Sequence, residues 1–224
     1  MTLLSRISIG IVLFTVTSFA NSPYFAIKVV DDQTGRGVPL VELETVNHVL
    51  FVTDNNGLVA LNEPGLMNQE VFFHVRSHGY QFPKDGFGYS GVRLQVKPGE
   101  RAEIKLKRIN IAERLYRVTG EGLYRDTVLL GEKPPLHQPL LNGRVMGQDS
   151  VEAVRYHNKL YWFWGDTHFP KYPLGQFQTS GATSELMGLD PGIGVDLVYF
   201  VNANGTTKKW RHCKILAPSG LTAC

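Results

Sequence analysis

Three observations predict an all-β protein. From Tyr24 to about Arg108 apolar and polar residues alternate with period two. The alternating runs are short and are separated by turns rich in Gly, Asn and Pro. No long stretch carries helical periodicity. The expected architecture is a seven-stranded Greek-key β-sandwich over residues 21–110, followed by an incomplete β-propeller of one to two blades. With 224 residues, 43% of them hydrophobic and 19% charged, the chain has the composition of a folded globular protein. Its formal net charge of +3 is small and evenly spread, which argues against nucleic acid as a partner.

Residues 1–20 read as a secretory signal peptide. Arg6 precedes an apolar run from Ile7 to Phe14, and Ser18-Phe19-Ala20 places small residues at the cleavage positions. The mature protein is therefore expected to be secreted or periplasmic, and to meet a membrane only if this segment stays uncleaved. N-terminal sequencing of exported material should begin at Asn21; recovery of intact Met1 in a membrane fraction would refute cleavage. Export permits disulfides, but Cys213 and Cys224 both lie in the final twelve residues, where a bridge would close only a small loop.

The strands of the sandwich are expected at "FAIKVV", "VPLVELET", "HVLFVT", "LVAL", "VFFHVRS", "GVRLQV" and "AEIKLK". In the last, Ala102, Ile104 and Leu106 should face the core, and Glu103, Lys105 and Lys107 the water. Asp54-Asn55-Asn56-Gly57 reads as a tight turn in which Asp accepts local amides and Gly supplies a positive φ. As a calcium loop it would lack the carboxylate at position twelve. His74 and His78 would share a helix face, but on a strand they stand more than ~12 Å apart. Neither a metal nor a cofactor is expected.

The order "IKVVDDQTGRGVPLVELE", "FVTDNNGLVAL", "EVFFHVRSHGY" resembles the transthyretin-like sandwich of carboxypeptidase regulatory-like domains. Thr34-Gly35, Thr53-Asp54, Gly57 and Gly79-Tyr80 carry the match over about 24–108. The resemblance implies a spacer or binding module.

Residues 111–139 form a linker kept partly extended by Pro134, Pro135 and Pro139, with enough apolar residues to pack against something. Over 140–205 a short pattern recurs. "GQDSV" at 147–151 and "GVDLV" at 194–198 each open a β-rich run, and spacings of roughly forty to fifty residues mark propeller blades. Between them "YHNKLYWFWGDTHFP" is a strand after a hairpin at Asn158. Leu160, Trp162 and Trp164 should point one way, Tyr161 and Phe163 the other, with most of these rings in the core.

"GQDSVEAVRYHNKLYWFWGDT" resembles the secreted five-bladed β-propeller glycoside hydrolases. That resemblance implies Asp149 as catalytic base or nucleophile and Asp196 as the nearest second funnel carboxylate. Glycoside hydrolysis pairs one ionised with one protonated carboxyl group. A turn role beside Gly147 and Ser150 is the competing reading of Asp149. Trp164 and His168 are the candidate sugar-binding side chains, and Asp166 is read as capping the strand end with Thr167. Fewer than two blades' worth of chain follows Met146, and residues 206–224 lose the alternation. The expected function is accordingly that of an exported, carbohydrate-associated protein, a truncated hydrolase-like propeller with an accessory sandwich, inactive as it stands and partnered by a polysaccharide or glycan. The alternative is a non-catalytic binding or spacer module of the cell envelope.

Overall fold

The computed structural model describes residues 22–176, 179–186 and 194–209. The signal segment, Cys213 and Cys224 lie outside them. Among the described residues the fold is all-β, with one short helix.

Eight strands occupy the first part: β1 (Phe25–Asp31), β2 (Glu42–Thr45), β3 (Leu50–Val52), β4 (Leu58–Leu61), β5 (Glu70–Arg76), β6 (Tyr80–Gln81), β7 (Gly91–Gln95) and β8 (Arg101–Arg108). They form two sheets, ordered β4-β1-β8-β6 and β3-β2-β5-β7. β1 runs parallel to β8, and the other pairs are antiparallel. The seven expected strands are all present. The eighth, β6, sits in a stretch that reads as loop, because two residues leave no periodic trace; it exists through pairing of Tyr80 with Arg108.

The two sheets face one another across a shared core. Ile27 and Val29 of β1, Leu43 of β2, Val59 and Leu61 of β4, Phe73 of β5, and Ile104 and Leu106 of β8 all belong to one buried cluster. In β8 the alternation holds, with Ile104 and Leu106 buried and Glu103, Lys105 and Lys107 exposed. Each fully buried side chain of this size contributes roughly 1.5–3 kcal/mol. The ion pairs of Arg76 with Glu42 and Glu44 stand at the surface, where solvent screening leaves them little net effect. The core, then, sets stability here.

The segment after β8 is bound to these sheets rather than extended between two units. The guanidinium of Arg114 donates to the carbonyls of Pro39, Leu40 and His78 and to Ser77 Oγ, and it lies 5.9 Å from the centre of the Tyr80 ring. The Asn55 side chain pairs with the main chain of Arg117 in both directions, at 2.9 and 2.8 Å. The short helix α1 (Arg125–Leu129) lies beside β4. There Asp126 accepts the Ala60 amide at 2.8 Å, which satisfies a donor on a strand edge that no other strand covers among the described residues. Burial raises the Asp126 pKa above the usual carboxylate range.

The anchor of this clasp is Asp54. Its Oδ1 accepts the amides of Asn56 and Leu58, as the turn reading expects. Its Oδ2 accepts both the amide and the hydroxyl of Thr127, each at 2.7 Å. The carboxylate thus holds its own hairpin and the distant segment together.

A third sheet follows: β9 (Gly147–Tyr156), β10 (Lys159–Phe169), β11 (Tyr172–Gln176), β12 (Ser180–Glu185) and β13 (Val198–Tyr199). β10 lies between β9 and β12, β13 pairs with β12, and β11 is the hairpin extension of β10; all are antiparallel. The β9–β10 turn falls at His157-Asn158, both at positive φ, as a two-residue hairpin requires. Trp162 and Trp164 stack at 6.2 Å, and Trp164 packs in a cluster with Val145, Ala182, Val195, Leu197 and Tyr199. Beneath them Tyr199 donates to Gln148, Gln148 donates to Ser180, and the Thr167 and Ser180 hydroxyls meet at 2.7 Å. On the other face Val154 and Val198 are exposed, and Tyr161 and Phe163 are half-buried. The rings of the aromatic stretch therefore divide between a covered face and an open one.

The second Gly-x-Asp-x-Val copy does not open a new blade. It leads into β13, which pairs with β12 in the sheet that the first copy began. Five matching residues are too few to dictate strand pairing, and Thr183 of β12 supplies the partner for Val198.

Candidate functional site

The two stretches His137–Arg144 and Asp196–Gly205 meet and form a cleft of about 490 Å³. Three local contacts hold its frame. The Asn142 side chain donates to the Leu197 carbonyl at 2.5 Å. The amide and hydroxyl of Thr207 both donate to the Gly143 carbonyl, at 3.1 and 2.9 Å. The amide of Val145 closes a turn onto the Asn142 carbonyl at 3.0 Å. Gly143 has φ +57°, and a Cβ there would lie 2.3 Å from Thr207 Oγ1, so glycine is required.

Asp196 lies in this cleft, one third exposed. Its Oδ1 accepts the His137 amide at 3.3 Å, and its Oδ2 accepts from the same residue's Nδ1. That contact fixes the ring with its proton on Nδ1 and compensates the carboxylate locally. His137, Gln138, Asn142 and Arg144 supply the other polar atoms of the lining, and Leu141, Val198 and Val201 supply apolar surface.

The remaining candidate residues lie elsewhere. Asp149 is exposed on β9 and accepts the amide of Ser150 at 2.6 Å; it does not line the cleft. Its cross-strand partner is Asp166, a like-charge pair that spacing along the chain does not reveal. Trp164 is 5% exposed and ringed by core side chains, which leaves no face for a sugar. His168 is exposed at the far part of β10, where its carbonyl accepts the Met146 amide.

Sequence reasoning passed over His137 and Gln138, at the end of the 111–139 linker, and Asn142 and Arg144, at the start of the 140–205 region. One signal was available: Asn142-Gly143 is a strong turn dipeptide, and a turn flanked by His and Arg marks a loop with chemistry on it.

No protein-family model matches the chain, and no curated protein or solved structure is similar to it. Among the described residues, fold and site define an all-β arrangement of three open sheets, with a mixed polar and apolar cleft beside the third.

Proposed function

We propose that this is an exported, carbohydrate-associated protein whose Asp196 cleft binds a glycan without cleaving it. The observation that carries the reading is the lining, which among the described residues combines polar side chains, aliphatic side chains and a single carboxylate. Sugars present hydroxyls to the first kind of surface and C–H faces to the second. Cleavage needs two carboxyl groups flanking the glycosidic bond, and among the described residues Asp196 is the one carboxylate in the lining of this cleft.

In the same reading the two facing sheets are a transthyretin-like Greek-key sandwich serving as an accessory module. The orders β4-β1-β8-β6 and β3-β2-β5-β7 on one core support it. The antiparallel order β9-β10-β12-β13 supports a blade-like third sheet. Export follows from cleavage before Asn21.

One observation favours a second, hydrolytic reading: Asp149 stands directly across from Asp166. Both readings are decided by affinity electrophoresis of the full chain in gels containing arabinan, levan, xylan or pectin, with a parallel assay for released reducing ends. Retardation by at least one polysaccharide, weakened about tenfold by Asp196→Ala and without release, is expected. Absence of retardation by all four refutes the binding reading. Reducing ends released by the unmodified chain and lost in Asp149→Asn and Asp166→Asn would establish the second.

A further inference from the structure

Resting on the glycan reading of the same cleft, we propose that its ligand is an acidic sugar, a uronate whose carboxylate is bound by Arg144.

The charges of the cleft are unequal in their commitments. Asp196 is already met by both N–H groups of His137. Outside the cleft, terminal guanidinium nitrogens of Arg114 and Arg117 donate to main-chain carbonyls. Arg144 is exposed, lines the cleft, and has no ion pair or hydrogen bond to its guanidinium among the described residues. The five N–H donors of this group form a planar fork that matches a carboxylate in bidentate geometry.

Its position is fixed by the backbone. Gly143 and Arg144 both have positive φ, +57° and +59°, inside the turn closed from Val145 to Asn142. The second left-handed position of such a turn normally takes glycine. An arginine held there keeps a strained backbone. Its Cα is thereby set beside the cleft, so that binding has to order the side chain but not the turn that carries it.

The rest of the lining suits a sugar ring that carries the acid. Gln138 offers an amide to hydroxyls, and Asn142 keeps its Oδ1 while its Nδ2 holds Leu197. Leu141, Val198 and Val201 give an apolar surface for the C–H face. A phosphate would ask for a second cation or converging main-chain amides, and the lining provides one arginine together with the Asp196 carboxylate.

The test is calorimetric titration of the full chain with tetragalacturonate, and with cellotetraose as the uncharged probe. Binding of tetragalacturonate about tenfold tighter than cellotetraose is expected, weakening as salt is raised. Arg144→Gln should bring the acidic ligand down to the neutral level, and Arg144→Lys should fall between, with the thermal transition of both variants unchanged. Equal binding of the two tetrasaccharides, unaffected by Arg144→Gln, overturns the acidic class and leaves the glycan reading standing. Displacement of tetragalacturonate by millimolar inorganic phosphate overturns it in favour of a phosphate site. Failure of both tetrasaccharides and of every polysaccharide in the gels removes the glycan reading and this inference together.

Discussion

Asp54→Ala is expected to lower the unfolding free energy by roughly 3–5 kcal/mol, read from the shift of the urea midpoint. The carboxylate is 1% exposed and accepts four hydrogen bonds, two from its own turn and two from Thr127. Hydrogen bonds to a charged group contribute about 1.5–3 kcal/mol each, but these four share one acceptor and do not add. Alanine also leaves the donors of Asn56, Leu58 and Thr127 facing a site that water does not reach. Asp54→Asn separates the two roles. It keeps an oxygen for the turn amides and sets an NH₂ against the Thr127 amide, so it should lose about 2 kcal/mol. The Asn variant should also become cleavable by protease between Arg117 and Lys133, while the strands before Arg108 resist. A loss below about 1 kcal/mol for the alanine variant, with no new cleavage, would show that the clasp is held by its other contacts.

Trp164→Ala should cost about 3–5 kcal/mol, the usual range for removing a buried aromatic ring. Its stacking partner Trp162 and its tilted neighbour Tyr199 would both lose a contact, and Val145, Val195 and Leu197 would line the void. The melting transition of the third sheet should fall, while the transition of the first two sheets, whose core shares no residue with this cluster, stays in place. Trp164→Phe keeps a ring and should cost less than about 2 kcal/mol with glycan binding intact. A variant that melts normally but no longer binds sugar would instead make Trp164 the sugar-binding residue that the resemblance implied.

The first unit was legible because its forces are local in sequence. "AEIKLK" can place Ile104 and Leu106 inward in one register only, since a one-residue slip would bury lysines. Asp54 to Gly57 was readable as a turn for the same reason: an Asx carboxylate binds the amides just after it, whatever lies further away. The candidate site was less legible. Asp196 does lie in a cleft, but the carboxylate expected to accompany it lies on β9, because pairing with β10 sets Asp149 against Asp166.

The amino-acid sequence by itself determined the β class, the seven strands up to Arg108, the turn at Asp54 and the hairpin beside Asn158. Period-two alternation and turn chemistry act over a few residues and need no distant partner. Tertiary structure alone decided what those features serve. It put Thr127 on the second oxygen of Asp54, closed the linker over the free edge of β4, and joined Val198 to β12 instead of to a new sheet. It also brought His137 to Asp196 across fifty-nine residues of chain and left Arg144 in the same cleft without an ion pair among the described residues. Those outcomes depend on which groups remain unsatisfied once the sheets have packed, a quantity that no window of sequence contains.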